Sequence, residues 1–560
     1  YPGTPSTEIT EEAAKYEEIY CEWAPNEKVA MEAAFGASLA GKRAFCGMKH
    51  VGLNVAADPL FTMSYTGVRG GLVVGVADDP GMHSSQNEQD TRHHAIASKI
   101  PVLEPSDSQE TLEFVKIAFD ISERFDTPVI VKMCTRISHS QSVVDTSERE
   151  ERETIPYVKD PAKYVMVPAN AKIRHPFVEE RTKKLAEWGN TSGINRVEKA
   201  ADPECKRGFI TGSTSYQYIK EVFGDSVSVL KLGMPYPFPD ELIKEFAKDL
   251  DDITVAEEMD PIVEEHCKAL GINVHGKDLL PMVGEYSQNL IAKVLAGQEV
   301  DEESKCDIET PVRPPIMCPG CPHRGIFYTL KRNKCIVIGD IGCYTLAAAE
   351  PLASMDMTLC MGASVSATHG FLKALGEDAP KNVVGVIGDS TFIHSGMTGL
   401  AEIAYNQSNA TIVILDNSTT GMTGQQENPT TGYNIKGDPA GKIDLEALVK
   451  AMGIRRVRVV DPLDLKACNA VVKEELAADE PSVIITRRPC VLLKSVKKLP
   501  ALRVNPDKCT GCGACMKIGC PALAMKDGKV VVDETLCVGS GCNLCTQMCG
   551  FGAFEYPGEE

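Results

Sequence analysis

The sequence predicts an α/β protein: three doubly wound parallel-sheet domains, with a small cysteine-rich α+β domain at the carboxyl end. Three observations carry that reading. Apolar runs of strand length alternate with helical patterns over most of the 560 residues, as in strand-helix-strand units whose sheets are covered on both faces. Polar, proline-bearing stretches interrupt the alternation at residues 146–205 and 301–317, where connections belong. Eight of the 21 cysteines crowd into residues 509–549, a segment with too few long apolar runs to build a core of its own.

Composition limits the partners. With 43% hydrophobic and 24% charged residues the chain is globular. A formal net charge of -20 and a pI near 5.1 set it against nucleic acid and anionic membranes, both of which would repel it. No apolar run approaches the roughly 20 residues that span a bilayer, and no basic-then-apolar export signal opens the sequence. A cytoplasmic protein without a membrane partner is expected. The first residue is Tyr1 and not Met, so YPGTPSTEI is compatible with an internal start, and any strand before it would not be seen.

Residues 1–145 hold GGLVVGVADD (70–79), an amphipathic stretch over 108–125 and TPVIVKM (127–133), read as strand, helix and strand. Residues 146–205, with EREERE and several prolines, are expected to form a charged connection on the surface. Residues 206–300 alternate again, through GFITGS, VSVLKLG, a helix after PFPDELIKEFAKDL, and ITVAEE. Residues 311–495 offer CIVIGDIGC, NVVGVIGDS, ATIVILDN and PSVIITRR as parallel strands. Residues 501–560 form the cysteine-rich domain.

In that last domain KCTGCGACMKIGCP supplies Cys509, Cys512, Cys515 and Cys520, and LCVGSGCNLCTQMCG supplies Cys537, Cys542, Cys545 and Cys549. In a long acidic chain without an export signal, such clustering argues for metal ligation over disulfides. Close spacing lets thiolates converge on one soft centre, and the glycines permit the tight backbone around it. The third close cysteine and the following Cys-Pro favour two 4Fe-4S clusters over zinc. The segment resembles a bacterial two-cluster ferredoxin, in which the fourth cysteine of each run ligates the other cluster. The resemblance implies one ligand set of Cys509, Cys512, Cys515 and Cys549, and another of Cys537, Cys542, Cys545 and Cys520. The spacing departs from that pattern: one extra residue separates Cys515 from Cys520, two extra separate Cys537 from Cys542, and the second run ends in Cys-Gly. Upstream, MCPGCPHRG carries Cys318 and Cys321, GDIGCYT carries Cys343 and RRPCVLL carries Cys490. By themselves the pair reads as a zinc site or a turn, and the other two as buried thiols.

The run VVGVIGDS ends an apolar strand on Gly388, Asp389 and Ser390, and a helical pattern then leads to the strand ATIVILD and Asn417. A strand-helix-strand unit brings Asp389 and Asn417 to the carboxyl ends of neighbouring parallel strands, where open sheets bind ligands. A carboxylate, an amide oxygen and a backbone carbonyl are hard ligands suited to Mg2+, with phosphate oxygens completing the shell. The constellation resembles the thiamine-diphosphate motif. That resemblance implies Mg2+ ligation by Asp389, Asn417 and the carbonyl of Thr419, with Gly388 and Ser390 close to the diphosphate. Gly-Asp-Ser and Asp-Asn stand here in place of the usual Gly-Asp-Gly and Asn-Asn.

Along its whole length the chain resembles the alpha subunits of indolepyruvate:ferredoxin oxidoreductases, within the thiamine-diphosphate-dependent 2-oxoacid:ferredoxin oxidoreductase family. The matching motifs are YPGTPSTEI, WAPNEKVAMEAAFGAS, MKHVGLNVAADPL, DDPGMHSSQNEQDTR, CPGCPHRG, GDIGCYTL, GDSTFIHSGMTGL, ILDNSTTGMTGQQ and the ferredoxin tail. The resemblance implies two thiamine-binding domains, at residues 1–145 (pyrimidine) and 311–495 (diphosphate and Mg2+), and a transketolase C-terminal-like domain at 206–300. It implies that Glu27 contacts the cofactor pyrimidine and Thr4 the 2-oxoacid carboxylate, with His50, Asn54, Ser84, Ser85, Gln86 and Asn87 as candidate pocket residues. It also implies a third 4Fe-4S cluster on Cys318, Cys321, Cys343 and Cys490. The expected reaction is oxidative decarboxylation of an aryl 2-oxoacid such as indole-3-pyruvate with CoA, giving an aryl acetyl-CoA, carbon dioxide and two reduced ferredoxins. The expected partners are a smaller beta subunit in a hetero-oligomer and soluble ferredoxin. Two other readings stand beside it: an oxidoreductase of pyruvate or another aliphatic 2-oxoacid, and a non-catalytic iron-sulfur electron-transfer subunit. A mere scaffold would not need Glu27, Asp389 and Asn417 together.

Overall fold

The computed structural model describes residues 1–300, 309, 311 and 314–557. The chain divides into two compact units, Tyr1–Ile308 and Glu309–Glu560. Most of the linker expected at residues 301–317 lies outside the described residues.

The first unit begins with β1 (Ala44–Lys49), β2 (Leu72–Asp78), β3 (Val102–Leu103) and β4 (Val129–Cys134). They form a parallel sheet in the order β1-β2-β4-β3. β2 and β4 are buried from end to end, as inner strands covered on both faces must be. The helix Ser108–Phe125 starts where the Asp107 side chain accepts from the Glu110 amide, and stops at Asp126 in the left-handed region. Its Phe114, Ala118 and Ile121 pack on Val73, Val129 and Val131, three or four residues apart on one helical face.

A second sheet in this unit comprises β5 (Arg196–Glu198), β6 (Arg207–Thr211), β7 (Ser228–Lys231) and β8 (Asp252–Ala256), in the order β5-β7-β6-β8. β6 runs parallel to β7 and β8, whereas β5 is antiparallel to β7, so this sheet is mixed and not wholly parallel as expected. β5 comes from the region read as a charged connection. That region also holds the 24-residue helix Pro168–Thr191. Its Val178, Arg181, Leu185 and Gly189 are buried, and Arg181 donates to the carbonyls of Ser64 and Asp126, each at 2.9 Å. A narrow stripe of four positions suffices to dock a helix whose other faces are charged, so the segment is not a solvated arm throughout.

The second unit contains β9 (Ile336–Ile338), β10 (Val383–Gly388), β11 (Thr411–Asp416), β12 (Arg456–Val460) and β13 (Ser482–Arg487). The order is β12-β13-β11-β10-β9 and every pair is parallel. All five carboxyl ends therefore share one edge. The same unit ends in two small antiparallel pairs, β14 (Arg503–Val504) with β17 (Phe554–Glu555), and β15 (Leu523–Lys526) with β16 (Lys529–Val532). Between them Ile518, Leu523, Val530, Leu544 and Ala553 are packed among cysteines, so sulfur fills part of the space a larger domain would give to aliphatic side chains. Among the described residues no helix is long and apolar enough to cross a membrane.

Candidate functional site

β10 delivers Gly388 to the carboxyl edge, and Asp389 begins the helical turn Asp389–Thr391. A π-helical turn, Phe392–Gly396, follows before the helix Met397–Asn406. The ladder sets Gly388 opposite Leu415, two residues before Asn417. A Cβ on Gly388 would stand 2.9 Å from the Tyr344 ring, so glycine lets that ring close over the strand end.

Asp389 is 2% exposed and its Oδ2 has no hydrogen-bond partner. Burial, and after it the charge of Asp416, pushes its carboxyl up to about 8. The amide oxygen of Asn417 stands 2.7 Å from the Thr419 carbonyl oxygen and 3.3 Å from Asp389 Oδ1. Turned over, the amide would donate its nitrogen to both. In either orientation a buried carboxyl with an unpartnered oxygen, an amide and a backbone carbonyl converge here, a set of hard donors of the kind that a divalent cation takes once the carboxyl is deprotonated. The donor set thus fits Mg2+. Beside it, Thr420 Oγ1 donates to Ser390 Oγ at 2.9 Å.

A cysteine quartet adjoins this set. The Cys490 amide donates to the Asn417 carbonyl at 2.9 Å, and a Cβ on Gly421 would lie 3.5 Å from both Asn417 Nδ2 and Cys343 Sγ. Burial pushes the Cys321 thiol up to about 12, with Cys318 and Cys490 adding to the rise. Burial likewise raises Cys343, helped by Cys490 and Cys318. Cys318 and Cys490 thus lie near enough to both Cys321 and Cys343 to raise their thiols. His323 is also here, its Nε2 at 3.4 Å from Asn417 Nδ2, with burial holding it neutral at a pKa of about 4.

Farther along, a cavity is lined by Cys509, Cys512, Cys515 and Cys549, with Val504, Val530 and Phe554 among its walls. The backbone amides of Val530 and Gly511 lower the Cys509 thiol, and the Ala514 amide followed by the Thr510 hydroxyl lowers Cys512. Amides aimed at sulfur are what a thiolate ligand needs. Burial pushes Cys542 up to about 11, and Cys520 and Cys537 raise it further. Cys545 is raised by burial and then by Cys542, Cys520 and Cys537. The structure thus gathers Cys549 with the first run and Cys520 with the second. No group of three or more His, Cys, Asp or Glu side chains among the described residues is arranged as around a single ion.

In the first unit the expected residues gather at the carboxyl ends of β1 and β2. Glu27, 5% exposed, is the first residue of the helix Glu27–Leu39, whose cap is the Asn26 side chain accepting from Val29. A Cβ on Gly52 would fall 2.6 Å from Glu27 Cγ and Oε1, so the glycine makes the room that the carboxylate occupies. His50 follows β1 directly and is buried, with Nδ1 3.4 Å from the Ala77 carbonyl and Nε2 3.3 Å from that of Asn87. Burial lowers its pKa, and Lys49 lowers it further. Lys49 Nζ reaches the Ser84 carbonyl at 2.6 Å, and the Ser84 amide donates to Asp79 at 2.8 Å. Thr4 is half-buried in the first turn, where a Cβ on Gly3 would lie 3.1 Å from Lys49 Cβ. Ser85 hydrogen-bonds Asp79, while Gln86 is exposed. Asn54 is exposed and donates to Gln89 at 2.9 Å.

Two residues of the second unit escaped the sequence reading. Asp340, fully buried after β9, accepts from the amides of Gly362 and Ser364, each at 2.9 Å. Its signal was present, since CIVIGDIGC repeats the strand-then-Gly-Asp pattern of VVGVIGDS. Arg324 packs between two cysteine groups through partners nearly 200 residues away, which no local pattern reveals.

With this geometry in view, two family profiles match. Residues 1–200 match the thiamine-diphosphate-binding family described as pyruvate flavodoxin/ferredoxin oxidoreductase, and residues 340–486 match the C-terminal TPP-binding domain of thiamine pyrophosphate enzymes. Together with the fold, these matches define a thiamine-diphosphate-type 2-oxoacid oxidoreductase. The chain is 42% identical over 607 residues to the indolepyruvate oxidoreductase subunit IorA of Pyrococcus horikoshii, covering 99% of this chain and 93% of that one. It is 40% identical to the IorA subunit of Archaeoglobus fulgidus (98% and 92% covered) and 38% identical to that of Methanothermobacter thermautotrophicus (100% and 94% covered). The chain belongs to the indolepyruvate oxidoreductase IorA subunit family.

Proposed function

We propose that this chain is the larger, catalytic subunit of an enzyme that oxidatively decarboxylates aryl 2-oxoacids such as indole-3-pyruvate. CoA takes the acyl group, carbon dioxide leaves, and two electrons pass singly to ferredoxin. The observation that carries the reading is the convergence of Asp389, Asn417 and Thr419 oxygens beside a cysteine quartet. Asp389, Asn417 and the Thr419 carbonyl would hold Mg2+ and through it a diphosphate, with Gly388 and Ser390 against the phosphate oxygens. Bound there, thiamine diphosphate supplies the nucleophilic carbon and the electron sink. Glu27 would hold a proton against the cofactor's pyrimidine, and Thr4 would orient the substrate carboxylate. His50 and the loop of Ser84, Ser85, Gln86 and Asn87 would wall the pocket, with Asn54 at its rim.

The quartet of Cys318, Cys321, Cys343 and Cys490 would hold one 4Fe-4S cluster. The ferredoxin-like segment at residues 501–560 would hold two more, on Cys509, Cys512, Cys515 and Cys549, and on Cys520, Cys537, Cys542 and Cys545. The subunit names of the relatives support a smaller beta subunit as partner, and ferredoxin is the electron acceptor this reading requires. The experiment is a comparison of anaerobic rates with indolepyruvate, phenylpyruvate, 4-hydroxyphenylpyruvate and pyruvate, with CoA and the partner subunit present. An aryl preference is expected. A preference for pyruvate rejects the substrate assignment.

A further inference from the structure

Arg324 is 3% exposed, so its charge has left water almost entirely, and such a charge needs many partners. Its partners among the described residues are carbonyl oxygens, not carboxylates. On one side it donates to Met317 and to Cys318, the latter at 3.2 Å. On the other it donates to Ile518 at 3.3 Å and to Gly519, the residue before Cys520. Gly519 has a φ of +69°, and a Cβ there would meet Pro351 at 2.9 Å and Arg324 Nη1 at 3.3 Å.

A second arginine makes a comparable bridge, although it is half-exposed and its Nη1 pairs with Asp461 at 2.9 Å, so it offers an anchor and not an uncancelled charge. Arg488, two residues before Cys490, donates to the Gly541 carbonyl at 2.7 Å, and Gly541 precedes Cys542. Each arginine thus starts on a segment of the Cys318, Cys321, Cys343 and Cys490 quartet. Each ends on the carbonyl just ahead of a cysteine in the Cys520, Cys537, Cys542 and Cys545 quartet.

We propose that Arg324, with Arg488 as a second anchor, fixes the spacing of these two quartets and lends its charge to the reduced state of the centres they hold. This rests on the reading that both quartets carry 4Fe-4S clusters. In the step served, one electron leaves the first centre, which is oxidised, and enters the second, which is reduced; no bond or proton changes. A fixed guanidinium in a low-dielectric interior favours whichever neighbour holds the extra negative charge. Carbonyl partners leave that charge uncancelled, which a carboxylate would not. The planar fork is what spans both loops, so lysine keeps the charge without the reach.

The test uses anaerobically purified protein, with iron content, EPR spectra and midpoint potentials measured for wild type, R324Q, R324K and R488Q. The wild type is expected to hold about twelve iron atoms; about eight would remove the third cluster and this inference with it, before any variant is examined. R324Q with full iron is expected to lower the midpoint of at least one of the two centres by about 59 mV, a tenfold shift in the one-electron equilibrium. R324K is expected to recover most of that shift while the magnetic interaction between the two centres weakens. Unchanged midpoints in fully loaded R324Q overturn the charge role. If R324Q loses iron, R324K and R488Q decide: an unaltered magnetic interaction in both, at full iron content, overturns the spacing role.

Discussion

The amide of Cys490 donates to the carbonyl of Asn417 at 2.9 Å, so one backbone bond ties the last cysteine of a quartet to a residue of the oxygen set at the sheet edge. That bond does not involve the sulfur. Cys490→Ser should therefore leave thiamine diphosphate binding intact while iron falls from about twelve to about eight atoms per chain and 2-oxoacid-dependent viologen reduction is lost. Iron analysis with parallel cofactor-binding calorimetry checks this, and a full iron complement would remove Cys490 from the ligand set.

The buried carboxyl of Asp389 gives a pH signature. Its pKa of about 8 in the metal-free chain lies far above the ordinary 3.8, so the native state holds a proton that the unfolded state releases. Between those two values its contribution to stability falls as pH rises. A bound cation must displace the proton, so Mg2+ affinity in the presence of thiamine diphosphate should rise about tenfold per pH unit from about pH 6 to about pH 8, then level off. Calorimetry in buffers of different ionisation heat should count one proton released. A flat profile, or an Asp389→Asn variant that keeps the wild-type affinity and slope, would reject the ligand.

Glu27 and Gly52 make a pair of expectations. Glu27→Gln should lower 2-oxoacid-dependent viologen reduction by about 100-fold or more with the iron-sulfur EPR spectrum unchanged. Gly52→Ala should do part of the same damage, because its methyl group would stand 2.6 Å from the Glu27 carboxyl arm. Wild-type turnover in the glutamine variant would sink the proposed role.

The crossed cysteine sets can be read by which variants look alike. Cys549→Ser and Cys509→Ser should give the same residual EPR spectrum, and Cys520→Ser should match Cys542→Ser. Should Cys520→Ser instead match Cys509→Ser, each run would hold its own cluster.

The edge that gathers Asp389, Asn417 and Thr419 was legible because unbroken apolar runs such as VVGVIG and TIVILD are hard to place anywhere but inside a parallel sheet. β12 was missed, since RVRVV alternates with arginines that pair with Glu474 and Glu475; charge at an edge strand disguises it as loop. The helix Pro168–Thr191 was missed for a related reason, its buried stripe including an arginine and a glycine. Gly52's service to Glu27 is a matter of absent volume, and no residue type announces that. The cysteine motifs were legible one at a time, while the arginines between them depend on contacts that only the folded unit creates.

The π-helical turn Phe392–Gly396 has a consequence for inheritance and engineering. A π turn is an α-helix carrying one surplus residue, so removing a single residue there would return the segment to ordinary helix with both ends still in phase. Asp389 would keep its place at the strand end, and Leu400 and Ile403 would still face the core. The surplus residue is thus a separable module: whatever it contributes to the pocket can be gained or lost in one deletion without redesigning the domain around it.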